Sequence, residues 1–237
     1  MLKQPLVSVI VPVFNHQEFI GQAIESVLNQ TFTDFEIIVI DDGSTDQTRE
    51  IVQRYRPTVR YIYKNHCGAP NALNVGISKV KGSFICWLSS DDQFLPNKLQ
   101  IQVNAFQANP SLGMIYTDWY EVDTYGNIIK LRRSRTLATR QEAALALLKH
   151  NCINGSTVML KTECFQRAGG FKEDYLQGHD HEMWLRLCRY YLFGYIPEPL
   201  VFYRKHHKNL SLQPNPLHAF QHKQMYRETR AFFGFPG

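Results

Sequence analysis

The first half of the chain alternates short apolar runs with segments whose apolar residues recur at helical spacing. The apolar runs lie at residues 7–14, 35–41, 59–64 and 83–88, and the helical segments between them lie at residues 18–30, 44–55 and 69–80. Strands that are apolar on both faces are typical of a parallel sheet covered by helices on both sides. The pattern therefore predicts an α/β fold, with Ser44 and Gln47 as a capping box on the second helix.

The pattern changes after a predicted helix at residues 95–110, in which Pro96 lies near the first turn. Two longer strands with alternating polar and apolar residues follow, and they are joined by a turn at Tyr125 and Gly126. The later elements are predicted as a helix at residues 140–150, a strand at 156–160, a helix at 179–191 and a strand at 199–203. The second half is therefore predicted to be mixed α+β.

No linker or internal repeat separates the two halves, so we expect a single domain over residues 1–237. Its expected parts are a mostly parallel half at 1–115, a mixed half at 116–213 and a helical tail at 214–237. The chain has 237 residues and is 44% hydrophobic, which is enough to bury a substantial core. Charged residues make up 20% and no segment is of low complexity, so no long disordered region is expected.

The formal net charge is +5 and the sequence pI is about 8.9. This mildly basic balance suits an anionic small ligand, an acidic membrane surface or nucleic acid, and does not choose among them. The five cysteines are scattered and form no CxxC motif, which indicates reduced thiols, mostly buried, in a cytosolic protein. No apolar run is long enough to span a bilayer, and the run interrupted by Pro12 is predicted to be a strand, not a signal peptide.

Three of the predicted strands end in polar residues with unusual chemistry. The strand ends read PVFN, IDDGS and LSSDD. Because the carboxyl ends of parallel strands meet at one edge of a sheet, and ligands bind there, we expect these residues to lie close together. The sequence therefore predicts a binding site at this edge.

The strand end IDDGS has two interpretations. Asp42 and Gly43 are common turn residues and could simply reverse the chain. Alternatively, Asp42 is a carboxylate at the sheet edge that accepts a hydrogen bond from a ligand such as a base or a ribose. The string lacks the spacing of an aspartyl phosphatase nucleophile, whose two aspartates are separated by one residue.

The strand end LSSDD places Asp91 and Asp92 side by side, with no Lys or Arg after them until Lys98. One of them could simply end the strand. Adjacent carboxylates repel, however, and need a compensating positive charge. Because Mg²⁺ and Mn²⁺ are often shared between carboxylates and substrate phosphates, a divalent cation is the predicted partner.

Two further clusters lie in the second half. In LQGHDHEMWLRL, Asp180 and Glu182 suit a helix N-terminus; the alternatives are a metal cluster with the flanking histidines, or Asp180 as a general base. In YRKHHKNLS, Arg204 and His206 belong either to a solvated basic loop or to an anion and diphosphate clamp, with His206 near a metal.

Taken together, these stretches resemble the family 2 glycosyltransferases, which are inverting enzymes with the GT-A fold. The resemblance runs from about residue 5 to residue 211, and the stretch from VSVIVPVFN to DDGSTDQT is very specific. Further matches are GAPNALNVGI, GSFICWLSSDD, NGSTVMLKTECFQRAGGFKE, HDHEMWLRL and PLVFYRKH, in family order. The chain departs from the family pattern at Leu73, where many members have Arg, at Ser90 in the DxD-type motif, and at His179 in an acidic pair.

The resemblance implies a GT-A fold with a Rossmann-like nucleotide-sugar-binding half at 1–115 and an acceptor-binding half at 116–213. It implies Asp180 as catalytic base, and Asp92 and His206 as contacts of an Mn²⁺ or Mg²⁺ ion on the diphosphate. The residues that it assigns to the nucleotide and its sugar are Pro12, Val13, Phe14, Asn15, Asp42, Asn71, Asp91 and Arg204. The implied partners are a UDP-sugar donor and a saccharide or lipid-linked acceptor, without nucleic acid, and the oligomeric state is left open.

Two other hypotheses compete with transfer. The substituted positions leave open a nucleotide-binding module without transfer activity, and the adjacent His179 and Asp180 prompt a metal phosphohydrolase, which belongs to an all-helical fold. The tail carries aromatic residues among Lys223, Arg227 and Arg230. A helix of this kind either packs on its own domain or lies on an anionic membrane, so the expected location is cytoplasmic, with peripheral contact at the inner face of the membrane as the second alternative.

Overall fold

The computed structural model describes residues 4–212 and 218–236. In this part of the chain, nine strands form one mixed sheet. The strands are β1 (Val7–Val13), β2 (Phe35–Asp41), β3 (Val59–Tyr63), β4 (Phe84–Trp87), β5 (Gln93–Phe94), β6 (Leu112–Val122), β7 (Ile128–Arg132), β8 (Met159–Lys161) and β9 (Leu192–Arg204). Their order is β3-β2-β1-β4-β8-β6-β9-β5, and β7 pairs with β6 outside this path.

Helices cover both faces of the sheet. In the described residues they are α1 (Ile20–Leu28), α2 (Thr48–Gln53), α3 (Ala69–Ile77), α4 (Lys98–Ala108), α5 (Arg140–Leu147), α6 (Glu163–Ala168), α7 (His179–Leu187) and α8 (His218–Phe233). Helix α1 shows how they pack: Ile20, Ala23, Ile24 and Val27 are buried. This spacing places the apolar residues on one side of the helix, against the sheet.

The strands β1, β2, β3 and β4 are parallel neighbours, as the apolar runs predict. Successive residues of β1 face opposite layers: Ile10 belongs to one buried apolar cluster, while Val9 and Val11 belong to the other. Burying a side chain of this size stabilises the fold by about 1.5–3 kcal/mol. The α/β prediction is therefore confirmed.

The carboxyl ends of three parallel strands lie at one edge of the sheet. Val13 of β1 pairs with Asp41 of β2, and Ile10 of β1 pairs with Trp87 of β4. The loops that follow these strands therefore begin side by side. This confirms that the three polar strand ends lie at one rim.

The second half continues the same sheet. Strand β8 lies antiparallel between β4 and β6, and β6 pairs in parallel with β9. The predicted strand at 156–160 is in part a 3₁₀ turn at Gly155–Thr157, and β9 is much longer than the predicted 199–203. The short strand β5 was not predicted, since two residues carry no periodicity.

The predicted capping box on α2 is wrong. The helix begins at Thr48, and the side chain of Asp46 accepts a hydrogen bond from the Thr48 N–H at 3.0 Å. The Ser44 hydroxyl instead accepts a hydrogen bond from the backbone N–H of Asn15 at 2.9 Å. The serine therefore ties the loop after β2 to the loop after β1.

Helix α8 packs against the rest of the domain through one side. Gln221, Met225 and Thr229 are buried at four-residue spacing, and Met225 belongs to the main apolar cluster. The five cysteines are free, and Cys86, Cys164 and Cys188 are buried. Among the described helices, none is both long and apolar enough to cross a lipid bilayer.

Candidate active-site cleft

A cleft of about 840 Å³ opens at the carboxyl edge of the parallel strands and extends towards the mixed half. Its lining includes most of the residues singled out in the sequence, from both halves of the chain. These are Pro12, Val13, Phe14, Asp42, Asp91, Asp92 and Asp180. The structure thus brings together acidic residues that lie far apart in the sequence.

Asp42 is almost fully buried at the end of β2, with 2% of its surface exposed. Its two carboxylate oxygens accept hydrogen bonds from the backbone N–H groups of Cys67 at 3.0 Å and Gly68 at 2.7 Å. The ammonium group of Lys64 also pairs with it. Asp42 therefore fixes the loop between β3 and α3, which forms one wall of the cleft.

Two aromatic rings stack on this wall. The centroids of the Phe14 and His66 rings are 4.0 Å apart, with an angle of 28° between the planes. Phe14 is 39% exposed, although it follows a buried strand. Exposed flat rings beside a buried carboxylate are suited to hold a heteroaromatic base.

Asp91 and Asp92 occupy different environments. Asp92 is 1% exposed, and its oxygens accept hydrogen bonds from the Ser156 hydroxyl at 2.6 Å and from the Arg204 N–H at 3.0 Å. Burial, followed by the neighbouring Asp91 carboxylate, raises the pKa of Asp92 well above its usual range. Asp92 therefore joins β4 to β9 and to the turn at Gly155–Thr157.

Asp91 lies beside two histidines. Its carboxylate is 2.9 Å from Nε2 of His206 and accepts a hydrogen bond from the Asn209 side chain at 3.2 Å. Ligand atoms of His16, Asp91 and His206 all lie within 4.8 Å of one another. Burial lowers the pKa of His16 and so favours the neutral imidazole, the form that binds metals.

This set of donors fits a divalent cation. Two imidazoles and a carboxylate converge here, and His16 and Asp91 of this group line the cleft. Mg²⁺ prefers an octahedral shell of oxygen ligands, so a mixed nitrogen and oxygen set suits a transition-metal ion such as Mn²⁺ better. Asp92, with both oxygens already hydrogen-bonded, is less available to the ion than Asp91.

Besides His206, which contacts Asp91, three predicted residues do not form part of the cleft lining. The Asn15 side chain accepts a hydrogen bond from the Thr45 N–H at 2.8 Å, and its backbone has a φ of 53°. The Asn71 side chain donates to Glu173 at 2.8 Å, which joins α3 to the loop before α7. Both residues hold loops around the cleft.

Arg204 is the third of these residues, and it is 2% exposed. Its guanidinium group donates to the carbonyl oxygens of Asp91 at 3.0 Å and Thr124 at 2.7 Å, and to the Gln22 side chain at 2.7 Å. It also lies over the ring of Phe19, 5.1 Å from the centroid. Arg204 thus fixes the backbone of the acidic loop, which follows β4 and carries Asp91 and Asp92.

Asp180 projects from the first turn of α7. The helix follows Gly178, whose φ of 70° lies in the left-handed region that favours glycine. One carboxylate oxygen accepts a hydrogen bond from the Asn151 side chain at 2.9 Å, and the other from the His181 N–H at 2.7 Å. Asn151 and Asp180 both line the cleft. The carboxylate is therefore held in one orientation at the cleft.

His179 lies on the cleft floor between aromatic side chains. Its ring centroid is 6.1 Å from that of Trp87 and 5.8 Å from that of Phe171. Its Nδ1 atom is buried and has no hydrogen-bond partner among the described residues. Burial lowers the pKa of His179, so the imidazole is held in its neutral form.

Several residues of the cleft were not predicted from the sequence. His16 follows Phe14 and Asn15 after β1, and its position at the carboxyl end of a strand could have marked it as a candidate ligand. The Ser156 side chain donates a hydrogen bond to Asp92, and the Asn151 side chain donates one to Asp180, in both cases across a long stretch of the chain. No local pattern marks these two residues, because their partners are set by the way β8 and α7 pack.

A parallel α/β half with an acidic loop after β4, joined to a mixed half that presents a carboxylate at a helix start, defines a glycosyltransferase of the GT-A type. Residues 8–165 match the family model described as "Glycosyl transferase family 2". The chain belongs to this family. The resemblance of the sequence motifs to family 2 glycosyltransferases is therefore confirmed.

Two relatives show the range of the sequence similarity. The chain is 34% identical over 205 residues to an uncharacterized glycosyltransferase of Rickettsia prowazekii, covering 85% of this chain and 64% of the relative. It is 29% identical over 233 residues to a chondroitin synthase of Escherichia coli, covering 97% of this chain and 33% of the relative. The chain therefore spans less than two thirds of these relatives.

Solved structures show the same fold. S. aureus TarS in complex with UDP-GlcNAc has a TM-score of 0.78 at 20% identity, covering 95% of this chain and 66% of that one. The mannosyltransferase PcManGT from Pyrobaculum calidifontis, in complex with GDP-Man and Mn²⁺, has a TM-score of 0.64 at 18% identity. It covers 100% of this chain and 66% of that one.

Proposed function

We propose that this protein transfers a sugar from a nucleoside-diphosphate sugar to an acceptor hydroxyl, with inversion at the anomeric carbon. The observation that carries the proposal is that one cleft is lined by His16 and Asp91, whose ligand atoms lie within 4.8 Å of each other and of His206, and also by Asp180. The first group suits a cation on a diphosphate, and the second suits a proton acceptor. Sugar transfer from a diphosphate can use both groups, and the first of them already combines His16 and Asp91 of the first half with His206 of the second.

His16, Asp91 and His206 would hold a divalent cation, with Mn²⁺ preferred over Mg²⁺. The cation supplies neutralisation of the negative charge that develops on the leaving diphosphate. This places Asp91 among the metal ligands and gives Asp92 a supporting role, the reverse of the roles implied by the resemblance. The reason is that both oxygens of Asp92 are held by Ser156 and Arg204.

Asp180 is the proposed general base. The acceptor oxygen forms a bond to the anomeric carbon while the bond from that carbon to the diphosphate oxygen breaks. The acceptor proton passes to the Asp180 carboxylate, and the diphosphate leaves with the bonding electron pair. A single base on the face opposite the leaving group gives inversion, and Asn151 keeps this carboxylate oriented.

UDP is the proposed nucleotide, and Asp42, Phe14 and His66 form the proposed site for its base. The support is that TarS is described with UDP-GlcNAc and that relatives include chondroitin and hyaluronan synthases. PcManGT is described with GDP-Man, so binding of UDP and of GDP should be compared directly to identify the nucleobase. The proposed role is the synthesis of a cell-surface polysaccharide or glycolipid.

The test is a screen of nucleotide sugars with Mn²⁺, followed by the rate of nucleotide release and of transfer to added acceptors. Asp180→Asn should keep nucleotide binding and lose transfer by at least about 100-fold, since a positioned base contributes roughly 10²–10⁴. Asp174→Asn, at an exposed position before the same helix, is the matched control and should keep full activity. Normal transfer by Asp180→Asn would show that the base is another residue.

One alternative remains from the departures at Ser90 and His179. A module that binds the nucleotide without transferring sugar would show Mn²⁺-dependent UDP binding but no UDP release from any donor. The metal phosphohydrolase hypothesis required an all-helical fold, and the described residues form a nine-stranded sheet. That hypothesis is wrong.

A further inference from the structure

The cleft has a second wall, formed by β6 and β9, that the donor and the base do not occupy. Trp119 and Glu121 lie two residues apart in β6, so their side chains project from the same face of the sheet. Tyr203 of β9 pairs with Glu121 in register, and Lys205 follows two residues later. All four residues line the cleft, and we call them the β6–β9 wall.

The opposite face of these two strands points away from the cleft. Tyr120 and Phe202 alternate with the residues of the β6–β9 wall, and their ring centroids lie 5.8 Å apart. They supply the packing on that side. Trp119 packs in part against the apolar cluster that includes Val201, and both Trp119 and Tyr203 remain only partly buried.

Glu121 is held in place between two cations. Its carboxylate oxygens lie 3.1 Å from Nε of Arg132 and 3.4 Å from Nζ of Lys205. Glu121 is 7% exposed, whereas the cations on either side are more open to solvent. The β6–β9 wall thus combines two aromatic side chains with a carboxylate held by ion pairs and a solvent-exposed ammonium group.

This combination matches the surface of a pyranose ring. A pyranose has faces of C–H bonds, which pack on aromatic rings, and a rim of hydroxyls that both donate and accept hydrogen bonds. Amphipathic aromatic residues with a few fixed polar groups are the ordinary composition of a site for such a ligand. A nucleobase already has its proposed place on the opposite wall, beside Phe14 and Asp42.

We propose that the β6–β9 wall is the acceptor subsite, and that it binds a pyranose ring of a saccharide acceptor through Trp119, Tyr203 and Glu121. This inference rests on the proposed function and adds to it the chemical class of the acceptor. Trp119 and Tyr203 bind the C–H face of the ring, and Glu121 accepts hydrogen bonds from its hydroxyls.

The first experiment uses the tryptophan content of the chain. The protein has three tryptophans, and Trp87 and Trp184 are 5% and 0% exposed. Quenching of fluorescence by acrylamide, measured with UDP and Mn²⁺ present, should therefore report mainly on Trp119. A panel of methyl pyranosides should protect the wild type from quenching, and the protection should disappear in Trp119→Phe.

Two outcomes would overturn the proposal at this stage. In one, no pyranoside of the panel protects Trp119. In the other, a short-chain alcohol protects it as well as the pyranosides do, which would show that the β6–β9 wall binds a lipid chain.

The second experiment separates the acceptor from the donor. With a pyranoside that serves as acceptor, Trp119→Ala should raise the acceptor KM roughly tenfold, the effect of losing one aromatic contact. The donor KM and the slow release of UDP without acceptor should stay at wild-type values. Trp119→Phe keeps an aromatic face, so its acceptor KM should stay close to that of the wild type. Glu121→Gln preserves the shape of the side chain and should also raise the acceptor KM, and it provides the test if Trp119→Ala does not fold.

Failure of the proposed function looks different from failure of this inference. Without UDP release from any donor by the wild type, the proposed function is wrong. With normal release, and acceptor KM values unchanged in both Trp119→Ala and Glu121→Gln, the β6–β9 wall is not the acceptor subsite.

Discussion

At the scale of single residues, the two neighbouring aspartates after β4 face different partners, although Asp91 still repels the charged form of Asp92. Asp92 is buried against Ser156 and the backbone of Arg204, and its pKa is raised by burial and by Asp91. Asp91 faces the imidazole of His206. Burial makes the charged form of Asp92 costly, whereas the carboxylate of Asp91 lies with His16 and His206, where a cation is proposed.

This difference leads to a prediction about isosteric variants. Asp91→Asn should abolish the increase in UDP affinity caused by Mn²⁺ and leave the free energy of unfolding nearly unchanged. Asp92→Asn should keep the Mn²⁺ effect and lower the free energy of unfolding by about 1 kcal/mol, because a buried hydrogen bond is weakened. Calorimetric titration of UDP with and without Mn²⁺, together with denaturant unfolding, measures both. If Asp92→Asn abolished the Mn²⁺ effect and Asp91→Asn kept it, Asp92 would be the metal ligand.

His179 gives a prediction about pH. Burial lowers its pKa in the folded state, so the unfolded chain binds a proton more readily than the folded one. The contribution to stability is therefore present above the unfolded pKa of about 6.5 and is lost as the pH falls below it. His179→Leu should flatten the fall in unfolding free energy between about pH 7 and pH 5.

The matched control for this prediction is His150→Asn, at an exposed position that follows α5. Its pH dependence of unfolding should match that of the wild type. If His179→Leu also follows the wild-type curve, protonation of His179 does not couple to folding.

At the scale of the elements, the floor of the cleft depends on a close approach between a turn and a strand. A Cβ atom added to Gly155, in the 3₁₀ turn that also presents Ser156, would lie 2.1 Å from Cζ2 of Trp87 at the end of β4. The indole cannot move away easily, because it stacks on Trp184 with centroids 5.6 Å apart. The turn and the ring therefore define each other's positions.

Gly155→Ala should lower the free energy of unfolding by about 1–3 kcal/mol, the usual cost of overpacking. It should also weaken UDP binding, since the turn supports Asp92 through Ser156. The control is Gly21→Ala in α1, where the nearest atom to the added Cβ is the Tyr55 hydroxyl at 3.3 Å. That change should raise stability by roughly 0.5 kcal/mol. Equal effects of the two variants in thermal and chemical unfolding would contradict the packing argument.

The sequence predicted the parallel strands well, because their pattern is set by burial alone. The strand at Phe35–Asp41 was predicted without error, and the one at Val7–Val13 to within one residue. The errors occur where the tertiary structure decides. Ser44 bonds to the loop after β1 instead of capping α2, and β5 exists because two residues pair with β9.

The same division holds for the site. Residues at strand ends, such as Asp42 and Asp91, could be found because the fold brings those ends together. His16 and Ser156 could not be assigned a partner, since the sequence gives neither the direction of a loop nor the position of β8. The metal cluster and the support of Asp92 are properties of the assembled fold.

At the scale of the whole molecule, one continuous sheet joins the two halves of the chain, and helix α7 adds Asp180 beside it. The parallel part ends at β4, β8 joins it to β6 through antiparallel pairs, and β6 pairs in parallel with β9. The strands that precede the proposed nucleotide site and the strands of the β6–β9 wall are therefore parts of one hydrogen-bonded sheet, with β4 and its acidic loop between them.

Helix α8 is the remaining part of the molecule for which membrane contact was predicted. Its inner side is tied to the domain by the buried Met225 and by ion pairs of Glu228 with Lys172 at 3.4 Å and Arg189 at 3.8 Å. Removing the tail would therefore expose an apolar core and would test folding together with membrane binding. Point substitutions on the outer side separate the two.

The outer side of α8 carries Phe220, which is 68% exposed, with Lys223 and Arg227 at helical spacing. An aromatic residue flanked by basic residues is suited to anionic headgroups. Lys223→Glu together with Arg227→Glu should reduce sedimentation with phosphatidylglycerol vesicles at low salt and leave UDP release unchanged. Lys79→Glu together with Lys130→Glu, at two exposed positions outside α8, changes the net charge by the same amount and is the control. If the wild type does not sediment, or if the control falls equally, α8 serves only to close the core.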